Sequence, residues 1–297
     1  MPVPMNGGKL AYEVAKLLDE AGVPNVLWEW LALGLLAADN GNREIEFVIA
    51  DKKFDEAKRV LAAAGFAACT NTNYRERCEN RFPVQHMAHV ARNIDQYDSG
   101  GAMGAALAYD RYHVVAAVHY HVETLPQWQP YELLSLHKQS AQLWWLPELS
   151  TDPPSADDHY LTLSNSARLP TGNGRTAPFS RPDQYPMKVL LPWVFVEALI
   201  LLRCRDYGHK HDLHNLWEYM LIKFMSHDAD LRDKIDQRFR LVWDSINDRG
   251  PPGLWNKWVP LGQLRRRLIA AGELPDIPPN DAEKLPGGVE ARDHTPG

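Results

Sequence analysis

Cysteine is scarce in this chain: Cys69, Cys78 and Cys204 are the three among 297 residues, and no two of them stand in CxxC spacing. An odd, scattered set excludes a disulfide framework and a zinc ribbon. It fits a reducing compartment in which the thiols stay inert. Long apolar runs are lacking too, since none reaches the roughly 18 residues that a membrane-spanning helix needs. The longest, VLLPWVFVEALILL (189–202), is interrupted by Pro192 and Glu197 and reads as a buried helix. The N-terminal MPVPMNGGK has no apolar core of the kind a secretion signal carries. The expectation is a cytoplasmic protein without a membrane partner. Positive charge is not in excess: 32 Lys and Arg against 38 Asp and Glu leave a net −6. Any nucleic-acid contact must therefore come from a local basic patch set against an acidic average. The motifs of several common chemistries are missing as well. There is no P-loop and no GxGxxG after a strand, no GxSxG elbow, and no Ser or Cys with a His at activating spacing.

What is present is a globular composition, 45% hydrophobic and 24% charged, which is enough for one large domain or two modest ones. GKLAYEVAKLLDEA places Leu10, Val14, Leu17, Leu18 and Ala21 at helical spacing. A turn and short strand, VPNVLW, follow, and then a second helix, EWLALGLLA. After the ADNGN loop comes a strand over Glu44–Ala50, then a helix with Asp51 as its cap and Gly65 as its stop. HVVAAVHYHVE (113–123) alternates as a strand, and YELLSLHKQSAQLWWLPEL reads as mixed strand and loop. Six prolines between 153 and 186 exclude a helix there. Beyond them four helices are expected, over 188–207, 212–225, 231–246 and 260–272. The organisation is an α/β domain over 1–150, a Pro-rich connection over 151–186, a helical domain over 187–272 and a polar tail over 273–297.

REIEFVI (43–49) raises the first question of function. Strand alternation sends Glu44 and Glu46 to one side, with Ile45 and Phe47 opposite. Such a pair is open to three readings: solvated acids neutralised by Arg43 or a lysine, a metal site, or a seat for a cationic group. Two close carboxylates hold a guanidinium bidentately, and neighbouring tryptophans suit an organic cation.

The order helix, VPNVLW, short helix, REIEFVIAD and a helix ending in AAAGF resembles the core of the nucleotidyltransferase-like superfamily. With LPTGNGR and KVLLPWVFVEALILLRCRDYG, the chain looks most like a group of fungal proteins of that fold. The resemblance covers 8–66 and 187–225. It implies an α/β (α+β) fold, a mixed sheet flanked by helices with a C-terminal helical region. It also implies Mg²⁺ on a carboxylate pair that maps to Glu44 and Glu46, with Glu123 as the third acid. The family's Gly-Ser phosphate cradle maps to Trp28-Glu29-Trp30, a carboxylate between two indoles, which departs from ordinary nucleotidyl transfer.

Three functions follow as expectations. One is a transferase whose carboxylates bind a Mg-nucleotide or a cationic substrate. Another is an aminoacyl-tRNA-dependent synthase of arginine-containing cyclodipeptides, in which the acidic pair takes the guanidinium. The third is a non-catalytic binding relative.

Further site residues come from other motifs. HYHVE places His119, His121 and Glu123 on one strand face, two imidazoles and a carboxylate suited to a transition metal or to an exposed edge. RCRDYGHKH offers Arg203, Arg205, His209 and Lys210 either as helix capping or as an anion patch. GNGR (172–175) offers Arg175 as a candidate phosphate contact, and Arg265–Arg267 form a second basic cluster, open as a solvated helix face or a phosphate cradle. Trp128, Trp144 and Trp145 lie near loops and are placed to stack on a ring.

Overall fold

The computed structural model describes residues 6–37, 45–69, 117–122, 132–169, 184–206, 211–225, 230–246 and 258–275. Helix α1 (Asn6–Glu20) leads through Gly22, at φ +67°, into strand β1 (Asn25–Trp28). At that turn the buried Asn25 side chain donates to Asp19 Oδ1 (2.9 Å) and to the Val23 carbonyl (3.0 Å). Helix α2 (Glu29–Ala37) follows β1 without an intervening residue. Strand β2 (Ile45–Ile49) leads through a 3₁₀ turn (Asp51–Lys53) into α3 (Phe54–Ala63).

Strands β3 (Val118–Val122) and β4 (Glu132–Lys138) complete a four-stranded sheet of order β1-β2-β4-β3. Its outer pairs are antiparallel, while β2 and β4 run parallel. The fold class is therefore α+β with a small mixed sheet. One sheet face meets Phe54 of α3 and Phe66 just beyond it, which lie against Lys138 and Tyr120.

A short helix, α4 (Gln139–Gln142), closes β4, and β5 (Leu161–Leu163) pairs with β6 (Lys188–Leu190) as a separate antiparallel ribbon. Lys188 is a strand residue here, not the start of a helix. Its Nζ reaches Asp19 Oδ1 and the Thr151 carbonyl, both at 2.9 Å. Helix α5 (Pro192–Asp206) then begins on a proline, which suits a first helical turn whose N–H groups lack intrahelical partners. It packs along α6 (His211–Met225) and covers the opposite sheet face, with Trp28 and Phe195 ring centroids 5.0 Å apart.

The segment 231–246 forms two helices, α7 (Leu231–Lys234) and α8 (Gln237–Ile246), where one was expected. Ile235 is extended, and Asp236 accepts from the Arg238 N–H at 2.9 Å, which restarts the helix. Helix α9 (Trp258–Ala270) completes the helical layer. Asp51 does not cap α3. Its carboxylate accepts from Ser140 N (2.9 Å) and Ser140 Oγ, tying the end of β2 to α4. One apolar core runs from Ala11 in α1 to Leu268 in α9, so the α/β and helical halves share their interior. No helix among the described residues is long and apolar enough to cross a membrane.

Candidate functional site

The sheet register builds a polar row. Trp28 pairs with Glu46 across β1 and β2, Glu46 with Ser135 across β2 and β4, and Ser135 with His119 across β4 and β3. Directly paired residues share a face, so one side chain from each of the four strands lines up on the α5 side. His137, two residues beyond Ser135, joins the same face. All five are buried: Trp28, Glu46 and Ser135 at 0%, His137 at 1% and His119 at 6% exposure.

Glu29 enters from the junction of β1 and α2. Its φ is +50°, and it is the one non-glycine with positive φ among the described residues. A β-carbon in that region costs on the order of 1–3 kcal/mol, and residues held there concentrate at functional sites. The strained backbone lets α2 begin directly after β1. It also keeps the Glu29 side chain fully buried beside the row.

Glu29, Glu46 and His137 each bring one ligand-capable atom to within 4.8 Å of the other two. His137 Nε2 stands 4.0 Å from Glu29 Oε1, and Glu46 Oε2 accepts from the Trp30 N–H at 3.4 Å. Behind the imidazole, Gln142 Nε2 lies 3.5 Å from His137 Nδ1. Two carboxylates withdrawn from water at this range repel each other, and an imidazolium balances only one of them. The cluster can thus take up a proton, a metal ion or an organic cation. Mg²⁺, which the family resemblance implies, is matched poorly by this donor set. That ion prefers an all-oxygen octahedron, whereas an imidazole suits later divalent ions.

The site residues expected from sequence divide as follows. Trp28, Glu29, Glu46 and His119 gather at or beside the cluster. Trp30 contributes its backbone N–H, while its ring lies 5.8 Å from that of Tyr219. His121 belongs to β3 by its backbone, opposite Leu133. Glu44, Glu123, Arg175, Trp128, His209 and Lys210 lie outside the described residues. Arg203 and Arg205 do not converge on an open anion site but turn inward. Arg203 Nη2 donates to Glu218 at 2.7 Å. Arg205 forks onto Asp206 (2.7 and 2.8 Å), donates to the Ala141 carbonyl and lies over the Trp144 ring. The Trp144 indole N–H is engaged by the Glu273 carbonyl at 2.8 Å.

His137, Ser135 and Gln142 were not anticipated. The signal was present in LSLHK, where Ser135 and His137 alternate with Leu134 and Leu136. Its meaning depends on the parallel pairing with β2, which is not a local property.

Comparison with protein-family models, with curated proteins and with solved structures gives no match to this chain.

Proposed function

We propose that the protein is a transferase built on a nucleotidyltransferase-like scaffold, with its reaction centre at Glu29, Glu46 and His137 and a positively charged group held among them in the working complex. The observation that carries this reading is the burial of two carboxylates, both at 0% exposure, with ligand-capable atoms within 4.8 Å. Paired negative charge withdrawn from water is costly unless a cation neutralises it. A fold tolerates that cost where a function uses it. The α+β order, with the acid on the second strand and a helix following the first, agrees with the scaffold.

A second reading is favoured by Glu29 itself. The head of α2 is where a phosphate cradle would stand, and it carries a buried carboxylate that repels a triphosphate. Full dehydration of the bound group favours guanidinium over the more strongly hydrated ammonium. These features support an aminoacyl-tRNA-dependent synthase of arginine-containing cyclodipeptides, in which Glu29 and Glu46 receive the arginine side chain.

Thermal shift with Mg²⁺ and nucleoside triphosphates, with arginine, and with arginyl-tRNA separates the two readings. A response to Mg-nucleotide alone supports nucleotidyl transfer. A response to arginyl-tRNA that weakens steeply with salt, together with co-purified tRNA, supports the synthase. Glu46→Gln abolishes turnover under both while leaving the fold intact, and an active, folded Glu46→Gln enzyme overturns both. No response to any of these ligands, combined with a stable protein partner on pull-down, indicates a binding protein without catalysis.

A further inference from the structure

We infer that Glu29, Glu46 and His137 form a binding site for a divalent transition-metal ion of the Zn²⁺ or Mn²⁺ class, oriented from behind by Gln142. The inference rests on the reading that this centre captures a cation, and it names the cation. It departs from the Mg²⁺ carboxylate pair that the scaffold implies, because the donors differ in kind.

Three features of the cluster carry it. The first is the donor set. One imidazole and two carboxylates are three donors of the kinds that open zinc sites use, and three protein ligands leave a coordination position free. An imidazole suits zinc, iron, copper and nickel rather than magnesium or calcium, while the two carboxylates also suit manganese.

The second is distance. Two ligands of one ion, each at roughly 2.1 Å, stand at most about 4.2 Å apart. His137 Nε2 and Glu29 Oε1 are separated by 4.0 Å, and the whole set spans no more than 4.8 Å. Closing onto an ion shortens these separations by about an ångström, which side-chain rotation supplies with the strands fixed by their pairing.

The third is an unexplained pair of polar atoms at the site. Gln142 is fully buried, and its Oε1 has no hydrogen-bond partner, while its amide nitrogen sits 3.5 Å from His137 Nδ1. A half-turn of that amide places Oε1 against Nδ1, where it accepts the ring N–H. The proton is then fixed on Nδ1, and Nε2 keeps its lone pair on the side of Glu29. Metal-ligating histidines are oriented in this way by an acceptor at the other ring nitrogen. Ser135 Oγ, also fully buried and without a hydrogen-bond partner, stands on the same face between Glu46 and His119. It is placed to meet a ligand of the ion, such as a coordinated water. An organic cation held by Glu29 and Glu46 gives neither Gln142 nor His137 such a part.

The test uses the full-length protein stripped of metal by a chelator, titrated calorimetrically with Zn²⁺, Mn²⁺ and Mg²⁺ in the absence of any substrate. The expected result is one equivalent of Zn²⁺ or Mn²⁺ with Mg²⁺ bound at least 100-fold more weakly. His137→Ala should lose at least tenfold in affinity, and Gln142→Leu should lose 10- to 100-fold with all three ligands intact. X-ray absorption of the Zn²⁺-loaded wild-type protein should show one imidazole with oxygen ligands, which keeps the test independent of whether a variant folds. Absence of binding by either ion overturns the inference, as does affinity unchanged by His137→Ala or a zinc spectrum without imidazole. Since no substrate enters, a failed search for transferase activity leaves these results standing. Conversely, arginine binding to metal-free protein that persists in His137→Ala, together with no Zn²⁺ or Mn²⁺ binding, overturns the metal and leaves the synthase reading in place.

Discussion

Arg203 and Glu218 meet at 2.7 Å between α5 and α6, with the guanidinium at 0% exposure and the glutamate at 6%. Removing one partner of such a pair strands a charge in the interior at a cost of about 3–5 kcal/mol, whereas replacing both with apolar groups costs far less. Glu218→Ala should therefore lower unfolding stability by about 3–5 kcal/mol in urea titration. The double variant Arg203→Met with Glu218→Leu should recover most of that loss. A single variant within about 1 kcal/mol of wild type would show that the pair does not hold α5 to α6.

Glu29 combines a left-handed backbone with a buried carboxylate close to Glu46 and the His137 imidazole. Glu29→Gln keeps the side-chain volume and removes one of the two like charges. In metal-free protein it should raise stability by roughly 1 kcal/mol, about 2 °C in thermal midpoint, while abolishing turnover and cation binding. Function and stability conflict in this way where a site concentrates charge. A fall in midpoint would show that the carboxylate stabilises the fold by itself.

Glu197 on α5 accepts from the Asp236 N–H at 2.7 Å, yet its carboxyl group is held above the ordinary carboxylate range. Burial is the main cause, and the Asp236 charge adds to it, outweighing that N–H and the Arg238 guanidinium. The folded chain thus binds this proton more tightly than the unfolded chain does. The resulting stabilisation is complete below the unfolded carboxyl pKa and is lost as pH rises through the raised folded value. Glu197→Gln should flatten this descent and leave the protein at least as stable as wild type at neutral pH, as read by thermal midpoints across pH 4 to 7. An unchanged pH profile would exclude Glu197 as its source.

Cys204 is fully buried, and burial pushes its thiol pKa up to about 12. Thiolate is the reactive form, so a maleimide should leave Cys204 unmodified in the native protein and label it only after unfolding, as resolved by peptide mass spectrometry. Native-state labelling would mean that α5 opens locally.

The elements were legible wherever one periodicity dominated. The α1 and α3 stripes and the alternating REIEFVI are local patterns, and their positions survive to within a few residues. VLLPWV is apolar on all sides, so periodicity cannot separate the strand at Lys188–Leu190 from the helix beginning at Pro192. The break at Ile235 was equally hidden, because a continuous apolar stripe does not record that Asp236 starts a new helix. In the site, Glu46 and Glu29 stood out as acids next to apolar runs. His137 did not, since its proximity to Glu29 is created by β2 and β4 pairing in parallel across 82 intervening residues, beyond any local window. Gln142 is placed by the short helix that ends β4, another consequence of tertiary position.

The row from Trp28 to His119 also polices strand alignment. Because side chains alternate, a slip of β2 by a single position would send Phe47 among the buried polar groups and push Glu46 against the aromatic underside formed by Phe54 and Phe66. A sheet mispaired by one position would entomb a lone carboxylate in hydrocarbon, so the residue offered for chemistry also serves as a proofreading mark during folding.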